Sequence, residues 1–238
     1  MSERAQQRID LAALSPKDSL RLVGDLAAAR LACFPTDTVY GVGGLLGRSV
    51  GEAVVAAKGR DPGKPLQVIF PSLELLIETV ELGRKLVEVA RRLLPGPFTL
   101  LVPYPSGFEY PPPGTVEVES RGLGFKRGAH SVATLGIRVP RWPDAARVMG
   151  ALRFPLLASS ANPSRGSDSR SLDEVDAGLR AACDLLLDGG AVDGRPSTVI
   201  DFSGYEHGRG WRILREGAFG EAQVREMLER ERKDLPEP

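Results

Sequence analysis

Four cations and one small polar pair are the residues best suited to chemistry in this chain. Lys58, Arg60 and Lys64 fall within seven residues. In an extended segment Lys58 and Arg60 point to one side, and Pro62-Gly63 bends the chain so that Lys64 returns toward them. Three cations on one bend make a polyphosphate clamp; the same composition also makes a solvated basic loop. Ser160 and Asn162 form an i, i+2 pair directly after the apolar run Pro155 to Ala158. A hydroxyl and an amide at a strand end can donate to phosphoryl oxygens or read a small polar substrate. Before Pro163 they equally suit an Asx or Ser turn. Arg138 interrupts the apolar strand Gly136 to Val139. An Arg there needs an acidic partner or an anionic ligand, and a bidentate hold on a carboxylate suits it.

A further polar segment, Pro35-Thr36-Asp37-Thr38-Val39-Tyr40-Gly41, follows the apolar run Leu31 to Phe34. Hydrogen-bonding groups are thereby set at a strand end, where open α/β sheets build their sites. The glycine-rich stretch after it is not a nucleotide loop. Val42 stands where a P-loop needs its first Gly, Arg48 replaces the Lys, and Leu46 falls on the last Gly of a dinucleotide motif. Gly41 to Gly47 therefore reads as a tight turn between strand and helix. Gly59 to Pro65 fails as well, because Pro65 supplies no hydroxyl. Any nucleotide must be held by side chains.

The elements that position these groups follow from pattern. Ser15-Pro16-Lys17-Asp18 is a helix start with a capping Ser and Pro in the first turn. Helices are predicted from Ser49 to Lys58, over 72–79, 81–94 and 143–152, after the capping box Ser171 to Glu174, and around Val224 to Leu228. Strands are predicted at 31–34, 66–70, 98–102, 136–139, 155–158, 184–187, 197–202 and 211–215. The chain reads as α/β: a single domain over 15–225 with a twisted mixed sheet flanked by helices, an N-terminal tail over 1–14, and the end of a helix with a charged tail over 226–238. Residues 104–134 are rich in Gly and Pro, include Pro111-Pro112-Pro113, and lack a helical period. Such a stretch is either a lid or a surface excursion.

Bulk properties exclude several classes. The 238 residues are 42% hydrophobic and 26% charged, ordinary for a soluble domain with a sizeable core. Lys plus Arg equals Asp plus Glu at 31 each, which argues against bulk electrostatic coating of nucleic acid while leaving a local basic groove open. Two histidines rule against a His-rich metal site, and Cys33 and Cys183 sit in apolar runs as reduced, buried thiols. No apolar signal region or membrane-length run is visible, so a cytoplasmic protein with no membrane partner is expected.

Taken in order, Phe34 to Gly41, Lys58-x-Arg60, Lys64-Pro65-Leu66, Pro95 to Thr99, Ile137 to Pro140, Ser160-Ala161-Asn162 and Ser197 to Ile200 resemble the YrdC/TsaC family of L-threonylcarbamoyladenylate synthases over roughly residues 15–225. The resemblance implies a YrdC-like fold around a concave basic cavity. It implies an enzyme that joins L-threonine, bicarbonate or CO2, and ATP, releasing pyrophosphate, and a product that feeds threonylcarbamoyladenosine modification of tRNA. Lys58, Arg60, Ser160 and Asn162 match the catalytic signature that holds the nucleotide. Lys64, Thr134 and Arg215 fall on further ATP positions. Thr38, Arg138 and Ser197 fall on threonine positions, as do Ile69 and Ala158 through main chain, with Thr36 adjacent. The metal has no protein ligand in this reading; Mg2+ comes on the ATP phosphates. Partners are the machinery that receives the intermediate and, in relatives of the family, tRNA or double-stranded RNA. Two other readings stay open: an RNA-binding module, and a paralogue using another carbamoylated substrate. Arg165 stands where the family carries Gly. The chain resembles the short, single-domain form, with 104–134 expected as its lid.

Overall fold

The computed structural model of the protein describes residues 6–61, 66–105, 134–163 and 166–229. Ten strands are β1 (Gln7–Asp10), β2 (Ala32–Phe34), β3 (Gly41–Leu45), β4 (Gln67–Ile69), β5 (Phe98–Pro103), β6 (Thr134–Arg138), β7 (Leu156–Ser160), β8 (Leu185–Asp188), β9 (Thr198–Asp201) and β10 (Arg212–Arg215). They form one mixed sheet in the order β1-β8-β2-β3-β7-β4-β6-β5-β9-β10. The helices are α1 (Pro16–Ala28), α2 (Arg48–Lys58), α3 (Leu73–Thr79), α4 (Arg84–Leu93), α5 (Ala177–Ala181) and α6 (Glu221–Glu229), with a 3-10 helix at Asp144–Ala151.

Strand alternation sorts the side chains onto two faces. Cys33, Val42, Val68, Leu100, Ile137, Leu157 and Ile200 point to one face, under Val54 of α2, Leu76 of α3, Leu86 and Leu93 of α4, and Val224 of α6. Each of these larger apolar side chains contributes about 1.5–3 kcal/mol by burial. On the other face Phe34, Ile69, Leu156, Ala158 and Leu187 meet Leu22 and Leu26 of α1 and Met149 of the 3-10 helix. Cross-strand partners extend that second face: Ile69 lies opposite Arg138, and Gly136 opposite Leu101. It turns polar and small at Gln67, Thr99, Thr134, Gly136 and Arg138, which form a floor instead of a packed layer.

Several expectations need correction. The segment assigned to an N-terminal tail holds β1, which pairs in parallel with β8. Its residues are mostly exposed, so no apolar alternation marks them. The stretch from Gly41, read as a turn, is β3, antiparallel to β2 and β7. Its glycines serve close approach: a Cβ on Gly43 would stand 2.1 Å from the Leu157 carbonyl oxygen. The helix expected at 143–152 is a 3-10 helix broken at Ala146 (φ −104°, ψ 16°). The capping box at Ser171 closes only a 3-10 turn, Leu172–Glu174. α2 has Gly47 and not Ser49 at its N-cap. The expected lid falls almost wholly outside the described residues, as do Lys64 and Arg165; Thr134 opens β6.

Candidate functional site

Lys58 is the last residue of α2, and Gly59 caps the helix in the left-handed conformation (φ +53°). The chain is therefore not extended between the two cations, as the spacing suggested; a helix C-cap turns Arg60 back, with its N–H bonded to the Val55 carbonyl at 3.0 Å. Both side chains meet the end of β7. Lys58 Nζ donates to the Ser160 carbonyl and, at 3.3 Å, to Asn162 Oδ1. Ser160 Oγ donates to the same Oδ1 at 2.5 Å. Arg60 Nη1 donates to Ser159 Oγ at 3.1 Å. The signature pairs thus converge on one turn, although 102 residues separate Lys58 from Ser160.

Lys58 is buried, and its partners are neutral oxygens. Burial pushes its pKa down to about 8, with the Arg60 charge adding to the effect and Asp168 opposing it. Burial likewise lowers Arg60. This end of the floor holds positive charge at an energetic cost that an anion would relieve.

Arg138 lies farther along the floor, only 2% exposed. Its Nη2 donates to Asp37 Oδ1 at 2.5 Å, Thr38 Oγ1 at 2.6 Å and Thr36 Oγ1 at 3.2 Å. Asp37 Oδ2 accepts from the Arg141 N–H at 3.0 Å. The acidic partner that an Arg on an apolar strand requires is thus Asp37, a neighbour of the two predicted threonines. Arg138 Nε remains buried with no hydrogen-bond partner.

Ser197 completes a third group. Its Oγ lies 2.8 Å from Thr99 Oγ1, which donates to Gln67 Oε1 at 3.1 Å across the bare backbone of Gly136. Arg215 is exposed as a residue, yet its Nη2 donates to the Ser197 carbonyl at 2.8 Å and hydroxyl at 3.2 Å in a part-buried setting. Burial of the guanidinium lowers its pKa; Asp168 counters this and Arg138 reinforces it. Asp168 has the same direction of effect on Lys58.

Ile69 and Ala158 are fully buried in central strands with cross-strand partners on both sides. Thr134 is also fully buried, opposite Pro103. A separate groove of about 1300 Å³ adjoins the site only at Asp37, running past Pro95, Phe98 and Trp142. Sequence reading placed Asp37 in a polar segment at a strand end without naming it as the partner of Arg138, and missed Ser159 and Gln67, and Thr99 as a hydrogen-bonding group. Only Asp37, set between two threonines after a strand, carried a usable signal.

Residues 25–217 match the Sua5/YciO/YrdC family, whose description reads telomere recombination. The chain belongs to this family. Among Sua5/YciO/YrdC relatives, threonylcarbamoyl-AMP synthase of Pyrococcus abyssi is 30% identical over 183 residues, 76% of this chain and 49% of that protein. The chain thus spans about half the length of that relative. Putative threonylcarbamoyl-AMP synthase of Mycobacterium tuberculosis is 28% identical over 212 residues, 87% of each. Among solved Sua5/YciO/YrdC structures, Pyrococcus abyssi Sua5 complexed with L-threonine superimposes with a TM-score of 0.71 at 25% identity, over 94% of this chain and 60% of that one. The YrdC-like α/β fold expected from the sequence is therefore present. Among the described residues, no helix is long and apolar enough to cross a membrane.

Proposed function

We propose that the protein makes L-threonylcarbamoyl-AMP from L-threonine, bicarbonate or CO2, and ATP, releasing pyrophosphate, for threonylcarbamoyladenosine modification of tRNA. The observation that carries this reading is the buried Lys58 resting on the Ser160–Asn162 turn, its hydrogen bonds made to neutral oxygens. Similarity to threonylcarbamoyl-AMP synthases, one solved with L-threonine, supports the choice of reaction.

The chemistry asks for little proton transfer by side chains. The threonine amine adds CO2 to give a carbamate. A carbamate oxygen attacks the α-phosphorus, and the bond to pyrophosphate breaks. Positioning and charge neutralisation carry such a step. Lys58 and Arg60 bind the phosphates, and the incoming anion stabilises the ammonium form of Lys58. Ser160 and Asn162 orient phosphoryl oxygens. Arg138 Nε, lacking a partner, is a donor suited to the threonine carboxylate. Thr38 and Ser197 accept from the amino acid's amine or hydroxyl, and Arg215 steadies the Ser197 end. A divalent cation, if bound with the triphosphate through its phosphate oxygens, would offset the charge of the leaving pyrophosphate.

The test is pyrophosphate release from ATP measured with threonine and bicarbonate omitted in turn. Dependence on both is expected, and Arg60→Ala should abolish it with the fold intact. Release that ignores threonine would assign the fold to another carbamoylated substrate. No release, with tight salt-sensitive RNA binding, would make the chain an RNA-binding module.

A further inference from the structure

Arg215, Ser197, Thr99 and Gln67 form one hydrogen-bonded chain across the floor, and its protons run in a single direction. An Arg only donates, so Ser197 Oγ accepts from Arg215 Nη2 at 3.2 Å. Thr99 Oγ1 gives its one proton to Gln67 Oε1 at 3.1 Å. The 2.8 Å contact between the two hydroxyls must therefore carry the Ser197 proton toward Thr99. Gly136 of β6, the strand between β4 and β5, leaves room for the crossing: a Cβ there would meet Thr99 Cγ2 at 3.8 Å. Both hydroxyls are buried, where such a chain holds its direction.

This direction fixes what the chain offers a ligand. Ser197 Oγ has its proton committed and presents only a lone pair. Gln67 has its Oε1 committed to Thr99 and presents its Nε2 N–H groups, which have no hydrogen-bond partner among the described residues. Gln67 lies two residues from Ile69 on the same face of β4, and Ile69 lies opposite Arg138, so this donor stands near the guanidinium suited to a carboxylate. An ammonium group can only donate and a carboxylate can only accept; a hydroxyl does both. We propose that Gln67 is a specificity-determining residue that reads the side-chain hydroxyl of the amino acid, donating through Nε2 while Ser197 accepts the hydroxyl proton. The site would thereby take a β-hydroxy amino acid in preference to its methyl isostere. This rests on the reading of the Arg138–Ser197 floor as an amino-acid slot.

The experiment is calorimetric binding of L-threonine and L-valine to the full chain with a non-hydrolysable ATP analogue present and bicarbonate absent. The wild type, Gln67→Leu and Gln67→Glu are compared, each shown folded by thermal melting. Threonine and valine carry the same charges, so the ratio of their affinities reads the hydroxyl alone. The wild type should favour threonine by more than about 100-fold, because valine leaves the donor and the acceptor unmatched. In both variants the ratio should fall about tenfold, the scale of one lost hydrogen bond, through weaker threonine binding with valine little changed. Thr99→Val, which frees the Gln67 amide to turn, should lower the ratio as well, and Thr99→Ser should restore it. Variants that weaken threonine and valine equally make Gln67 a structural residue and overturn the proposal. A wild type that binds the two equally overturns it while leaving the amino-acid slot in place. A wild type that binds the analogue and neither amino acid removes the slot itself, and the proposal with it.

Discussion

Lys58 and Arg138 are both buried cations at the same sheet, yet they are held in opposite ways. Lys58 Nζ touches a backbone carbonyl and a side-chain amide oxygen, and no carboxylate. Arg138 is ion-paired with Asp37 at 2.5 Å and flanked by two hydroxyls. One end holds a cation hydrogen-bonded to neutral oxygens; the other is ion-paired and keeps its buried Nε–H without a partner. The first can attract an anion, whereas the second can orient a ligand already present. A site that must gather a polyanion and read a small amino acid needs both behaviours.

The sharpest way to break this contrast is Arg138→Met. It leaves Asp37 buried and unpaired, and urea unfolding should show a loss of about 3–5 kcal/mol. A loss below about 1 kcal/mol would mean that the pair is not closed. Lys58→Met should do the reverse: stability at neutral pH unchanged within about 0.5 kcal/mol, since a penalised charge is removed, but pyrophosphate release reduced about 100-fold.

The pH dependence separates the two ends further. The Lys58 pKa is about 8 in the folded chain against 10.5 for the ordinary amine, so unfolding takes up a proton between those values. The Lys58 contribution to stability should therefore climb from about pH 8 to 10.5, while nucleotide affinity falls as pH rises through about 8. Lys58→Arg should flatten both trends over this range, read by denaturant midpoints and by binding titrations. The smallest effect is expected from Thr99→Val, which removes the hydroxyl that links Gln67 to Ser197. About 1 kcal/mol of stability should be lost, with weaker binding of threonine and unchanged binding of the ATP analogue.

The contrast was half legible in the sequence. Short apolar runs announced β2, β4, β5, β6 and β7, because strands buried on both faces lack polar interruptions. The edge strand Gln7–Asp10 carried no such run, since most of its residues face solvent. β3 was hidden because Gly41, Gly43 and Gly44 look like a turn unless the close approach of Leu157 is known. Lys58, Ser160 and Asn162 were readable as pairs beside predicted elements. That Asp37 would neutralise Arg138 depended on a loop path that no periodicity encodes.

The order of strands has a consequence for synthesis on the ribosome. Gln7 pairs with Leu185, and β8 also lies against β2. A nascent chain that has not yet released residue 185 leaves the amino-terminal strand and one flank of β2 open to stray pairing. The pairing of β1 with β8 can therefore form only after residues 185–188 have emerged.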